Sequence, residues 1–183
     1  MNIYIAGIYR SGSTWLFNAV RLIMEQESKT VASGFIWKTT KKGKSKADMV
    51  IKTHFFYDDI ELPYKPDIVI TSIRDKSEIQ SSMMKQRAKG LEPYFFNAGN
   101  WEQLNEFFEW LFKWRSHEKH VYEMDYKDLE SGNQKKIVTE LLQVLNFEVN
   151  ETKVLHICKE LEKMKAPKKG FDEVTLLTPT HLK

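Results

Sequence analysis

Three short polar clusters in this chain combine residue types that could do chemistry. The first is Tyr9-Arg10-Ser11-Gly12-Ser13-Thr14, a short distance after Gly7. A glycine-bearing turn that opens a helix presents backbone N–H groups to an anion, and the helix dipole favours negative charge there. Arg10 adds a permanent cation to the same turn. The spacing from Gly7 to Gly12 is that of a P-loop, but Ser13 stands where a nucleotide triphosphatase carries lysine. That lysine reaches the β- and γ-phosphates, so its absence argues against an ATP or GTP site. The plainer alternative is a tight turn with a hydroxyl N-cap and no ligand.

The second cluster is Lys52-Thr53-His54 and the third runs from Arg74 to Ser82. Lys52 and His54 alternate at a strand end, so both side chains can share one face. Histidine titrates near neutral pH and can act as a general base; its alternative is a structural role. Lys52 can offset negative charge on a transferring group, or it is a solvated strand-end lysine. Arg74 follows Ile68-Val69-Ile70, and its forked guanidinium suits phosphate. Its alternative is an ion pair with Asp75 or Glu78.

Strands and helices must hold these clusters in place. Residues 3–7 read as a buried strand, and a helix is expected over 13–27, where Trp15, Leu16, Val20, Ile23 and Met24 recur at helical spacing. Short strands are expected at 30–32, 49–53, 67–72 and 120–124, and helices at 76–89, 101–115, 133–145 and 151–164. Residues 37–48 read as a lysine-rich loop, and the tail 165–183, with Pro167, Gly170 and Pro179, has no assignment. Alternating strands and helices predict an α/β fold: a P-loop-like parallel sheet with helices on both faces. Ligands of such sheets bind beyond the C-terminal strand ends, near the point where strand order reverses. Tyr9 to Thr14, His54, and Arg74 to Ser82 all fall just after expected strands.

The bulk numbers fit one domain over residues 1–183. The hydrophobic fraction is 42% and the charged fraction 29%, as in an ordinary globular chain. A net charge of +3 suits a small anionic ligand and is too weak to argue for nucleic acid. Cys158 stands alone, which points to a reducing compartment. The N-terminal apolar run is short and lacks a basic leader, and no segment has the length of a membrane span. The expectation is a cytoplasmic protein without a membrane partner.

At these residues the sequence resembles the family of sulfotransferases that use 3′-phosphoadenosine-5′-phosphosulfate (PAPS). Residues 9–15, Tyr-Arg-Ser-Gly-Ser-Thr-Trp, look like that family's 5′-phosphosulfate loop, with Arg10 where many members have lysine. Lys52-Thr53-His54 is similar to the family's Lys-Thr-His, whose histidine is the catalytic base. Ile73-Arg74-Asp75 through Ser82 looks like the 3′-phosphate motif, and Arg74 and Ser82 have its separation. Tyr126-Lys127-Asp128-Leu129 is similar to a Tyr-Glu-Asp-Leu whose tyrosine helps hold the adenosine. Lys168-Lys169-Gly170 stands in for a late Arg-Lys-Gly motif, and the ending Thr175 to His181 looks like the tail of short bacterial-type members.

The resemblance implies sulfonate transfer from PAPS to a hydroxyl or amine of a small-molecule or saccharide acceptor. Arg10, Ser11, Gly12, Ser13 and Thr14 would bind the phosphosulfate, Arg74 and Ser82 the 3′-phosphate, and Trp15 and Tyr126 the adenosine. His54 would be the general base, with Arg10 and Lys52 offsetting charge. A P-loop kinase and a non-catalytic nucleotide-binding module are the alternatives.

Other features have bland and functional readings side by side. In the expected helix 101–115, Trp101, Leu104, Phe108, Leu111 and Phe112 share one face, and Phe107, Trp110 and Trp114 an adjacent one, which suggests a helix packed on both sides. The same aromatics, with Tyr94, Phe95 and Phe96, could instead form an acceptor pocket. Lys38, Lys41, Lys42, Lys44 and Lys46 read as a solvated loop or as an attractor for an anionic acceptor. His117, His120 and His156 lack metal-ligand spacing, so no metal is expected.

Overall fold

Five short strands build one sheet, in the order β2-β3-β1-β4-β5. They are β1 (Asn2–Gly7), β2 (Val31–Phe35), β3 (Asp48–Thr53), β4 (Ile68–Ile73) and β5 (His120–Asp125). Every neighbouring pair is parallel. The computed structural model describes residues 1–28, 30–36, 47–56, 64–88, 101–178 and 181. The lysines at 38–46 and the aromatics at 94–96 lie outside the described residues.

Strand β1 is central, which explains its unbroken apolar run: Ile3, Tyr4, Ile5 and Ala6 are all fully buried. Ile3 and Ile5 point to one face, where they meet α1 (Ser13–Glu27), α5 (Gln134–Val144) and α6 (Glu151–Lys163) in one apolar cluster. Tyr4 and Ala6 point to the other face and pack with Trp114 of α3 (Trp101–Arg115), whose ring stacks on Tyr4 at 5.5 Å. Helix α2 (Lys76–Ala88) follows β4, and its Ile79 and Met83 pack with Leu104, Phe107 and Leu111 of α3. The parallel sheet covered on both faces is therefore as expected.

Helices α1 and α3 begin and end where the periodicity placed them, and the other expected elements shift by a few residues. One short helix was not expected: α4 (Tyr126–Glu130), which starts directly after β5 and is capped by Asp125. Buried residues of α3 come from both of its apolar faces, Leu104 and Leu111 from one and Phe107 and Trp114 from the other, with Phe108 and Trp110 partly buried beside them, while Phe112 is 66% exposed.

The tail is docked onto α1. Asn18 Nδ2 donates to the Thr175 carbonyl at 2.7 Å. Asp172 Oδ1 accepts from the Val174 and Thr175 amides. Leu176, in the left-handed region at φ 55°, is buried in the same apolar cluster as α1. Among the described residues no helix is long and apolar enough to cross a membrane.

Candidate functional site

The chain leaves β1 for β2 and β3 on one side, and β4 and β5 lie on the other. Strand order thus reverses at β1, and the crevice at its C-terminal end is the switch point of the sheet. The turn that follows β1 is tightly built. Ser11 Oγ donates to the Ile8 carbonyl at 2.7 Å and lies 2.7 Å from Ser72 Oγ on β4. Gly7 must be glycine, because a Cβ there would sit 2.3 Å from Ser72 Oγ. Gly12 has φ 84° and its Cβ would meet Met124 at 2.9 Å. Arg10 also has positive φ, 65°, a conformation that non-glycine residues adopt only under constraint. The constraint is visible: Arg74 Nη1 donates to the Arg10 carbonyl at 3.1 Å, and Arg10 Nε donates to Ser82 Oγ at 3.0 Å.

The hydroxyl N-cap considered for α1 is absent. Gly12 occupies the cap position and no side chain caps the helix. The first amides of α1 are therefore left to a ligand or water, with the positive end of the helix dipole behind them.

On the β4 side, Arg74 lies over the Tyr126 ring at 3.9 Å and pairs with Glu78 at 3.2 Å, and Glu130 is 4.0 Å away. The Glu78 ion pair that the sequence left open is present alongside the contacts to Arg10 and Tyr126. Arg10, Arg74, Ser82 and Tyr126 thus form one connected group. Arg10 is held below its ordinary pKa by burial first, while Tyr126 and Arg74 act in opposite directions.

On the β3 side, Lys52 is 5% exposed, which corrects the reading of a solvated lysine. Its Nζ donates to Thr14 Oγ1 at 2.6 Å, and burial pushes its pKa down to about 7. His54 is equally buried and its Nδ1 bonds the Gly7 carbonyl. Its ring lies 4.2 Å from Tyr9 and 5.3 Å from Phe35. Burial holds the His54 pKa well below 6.5, with Lys52 and His181 adding repulsion.

A cleft of about 740 Å³ opens in front of the turn, bordered by Arg10, Ser13, Thr14, Trp15, Tyr126 and the tail, including Lys168 and His181. Arg74 and Ser82 touch Arg10, Lys52 touches Thr14 and His54 touches Gly7, and none of the four borders this cleft.

Sequence reasoning missed His181 as a site residue. Its Nε2 lies 3.2 Å from Thr14 Oγ1, and its pKa is pushed down to about 3 by burial, then by Lys52 and Arg10. A lone histidine near the end of an unassigned tail gave no signal of this contact. Among the described residues no group of three or more His, Cys, Asp or Glu side chains could hold a metal ion.

No protein-family description and no curated protein matches the sequence. Solved structures do match the fold. Mouse sulfotransferase SULT7A1 complexed with PAP aligns with a TM-score of 0.63 at 14% identity, over 97% of this chain and 71% of that one. Retinol dehydratase in complex with androsterone and PAP aligns with a TM-score of 0.56 at 14% identity, and in complex with retinol and PAP with 0.58 at 13% identity. Both alignments cover 87% of this chain, which spans 64% of the retinol dehydratase chain. Its five-stranded parallel sheet, P-loop-like turn and flanking helices give this chain the fold of the PAP-bound sulfotransferases.

Proposed function

We propose that this chain, acting as one domain, transfers a sulfonate group from PAPS to a hydroxyl or amine of a small molecule or saccharide. The observation that carries the reading is the start of α1, which no side chain caps and beside which Arg10, Lys52 and His181 stand. Helix amides without a cap, at the positive end of the helix dipole and next to cationic side chains, are suited to an anion.

The residues present fit the donor. Gly7 and Gly12 let the turn pack tightly against Ser72, Met124 and Tyr126, and the α1 amides have no side-chain cap. Arg10 and the amides of residues 11–14 would hold the phosphosulfate. Arg74 and Ser82 would hold the 3′-phosphate, for which Arg74 would share its guanidinium with Glu78. Trp15 and Tyr126 border the same cleft and would flank the adenosine. PAPS supplies an activated sulfonate: the acceptor oxygen or nitrogen bonds to sulfur as the bond to the bridging phosphate oxygen breaks, leaving PAP.

His54 has the tautomer a base needs. The Gly7 carbonyl can only accept, so Nδ1 carries the proton and Nε2 keeps its lone pair. Its lowered pKa keeps it neutral at physiological pH, while the same burial makes it a weaker base than a free imidazole. Arg10 and Lys52 offset charge on the sulfonyl and bridging oxygens.

The burial of His54 also favours a second reading, a nucleotide-binding module without turnover. Labelled PAPS incubated with phenols, alcohols, amines and saccharides, without magnesium, separates the two. Label transfer that is lost in His54→Ala supports the enzyme. Tight PAP binding with no transfer to any acceptor supports the module, and magnesium-dependent phosphoryl transfer from ATP overturns both.

A further inference from the structure

Two nitrogen atoms approach the hydroxyl of Thr14. Lys52 Nζ donates to it from 2.6 Å. His181 Nε2, from the tail, lies 3.2 Å away. The role of that ring nitrogen follows from its partner nitrogen. Thr178 N–H points at His181 Nδ1 from 2.9 Å, and a backbone amide can only donate, so Nδ1 must be unprotonated. The Thr178 hydroxyl, 3.0 Å from Nδ1, can donate to it as well, and the contact of Nδ1 to the Thr178 carbonyl is longer at 3.3 Å. The neutral ring therefore carries its proton on Nε2 and donates it to Thr14.

A threonine hydroxyl accepts twice and donates once. Lys52 and His181 occupy both acceptor directions of Thr14, and Thr14 borders the cleft. We propose that His181 is a positioning residue for anion binding: with Lys52 it fills both lone pairs of the Thr14 hydroxyl and turns the hydroxyl proton toward the cleft. Thr14 so held selects a ligand group that only accepts, such as a fully ionised phosphate or sulfonate oxygen, over one that must donate.

The tail is built to hold His181 there. Asn18 Nδ2 ties α1 to the tail through the Thr14 and Thr175 carbonyls, at 2.9 and 2.7 Å. Leu176 anchors the same segment in the core, and the His181 amide closes a turn on the Thr178 carbonyl at 2.9 Å. Lys52 and Arg10 are the charged groups acting on the ring, and both favour its neutral state. His181 thus serves as a fixed donor rather than as a charge.

This inference rests on the sulfonate-transfer reading in placing the 5′-anion at Thr14. The full chain is titrated with PAP and with adenosine 3′-monophosphate, which lacks the 5′-phosphate. His181→Ala is expected to weaken PAP about tenfold, the scale of one lost charge-assisted hydrogen bond, and to leave the 3′-monophosphate unchanged. His181→Gln, which keeps a donor, is expected to restore most of the loss. Thr14→Val should weaken PAP, and adding His181→Ala to it should cost nothing further. Equal weakening of both nucleotides by His181→Ala would show a merely structural tail and overturn the inference. So would wild-type affinity in His181→Ala. Failure of the wild-type chain to bind PAP would overturn the sulfonate reading itself, and this inference with it.

Discussion

The two sides of the β1 crevice treat charge differently. On the β4 side, Arg10 and Arg74 keep partners around them: Ser82, Glu78, Glu130 and the Tyr126 ring. On the β3 side, Lys52 and His54 are buried among Phe35, Tyr9 and Phe107, and their charged forms are disfavoured. The difference teaches how one sheet edge can serve two tasks. A permanent, partnered guanidinium suits binding a dianion, because it can trade one acceptor for another. A buried imidazole kept neutral has its lone pair free for a hydrogen bond from the acceptor, although burial weakens it as a base. Thr14 joins the two sides, since it borders the cleft and touches Lys52.

If the β3 side is the reacting side, His54→Ala should lower the transfer rate about 10³-fold, within the range of general-base effects. PAP affinity should stay within a few fold. Parallel losses of rate and affinity would place His54 in binding and erase the division. The β4 side carries the next largest effect. Arg74→Ala should weaken PAP on the order of 10- to 100-fold, the scale of one or two charge-assisted hydrogen bonds. AMP, which lacks the 3′-phosphate, should bind nearly as before. Equal losses for PAP and AMP would show that Arg74 supports the Arg10 turn rather than reading the 3′-phosphate.

Stability should register the cradle between the two sides. Gly7→Ala places a Cβ against Ser72 Oγ and Ser13 Cβ in the core, and overpacking of this kind costs about 1–3 kcal/mol in denaturant unfolding. The smallest effect concerns protons. Lys52 titrates at about 7 in the folded chain against 10.5 ordinarily. Its burial therefore opposes folding fully below pH 7, and that opposition fades as pH rises toward 10.5. An anion bound beside it favours the charged form, so PAP binding at pH 8 should take up a fraction of a proton. Calorimetry in buffers of different ionisation enthalpy measures that uptake, which Lys52→Met should remove.

The sheet and most helices were legible because their signals are local. Helix α1 combines a glycine break with five apolar residues at helical spacing, and β1 is an unbroken apolar run. The clusters after β1, β3 and β4 were legible because the ends of parallel strands converge. Burial of Lys52 was not, since lysine is rarely buried and nothing nearby in sequence offers it a partner. The capping of α1 by Gly12 was hidden by the better cap formers beside it. His181 was hidden most deeply, because its contact with Thr14 spans 167 positions of chain. Only the docking of the tail through Asn18 and Leu176 brings the two together.

The central claim is that the crevice binds a nucleotide phosphorylated at both the 3′ and 5′ positions. Calorimetric titration of the chain with PAP, beside AMP, ATP and ATP with magnesium, tests it most directly. The account expects micromolar PAP binding, a large preference over AMP and no need for magnesium. Preference for magnesium-ATP, or equal affinity for PAP and AMP, would contradict it.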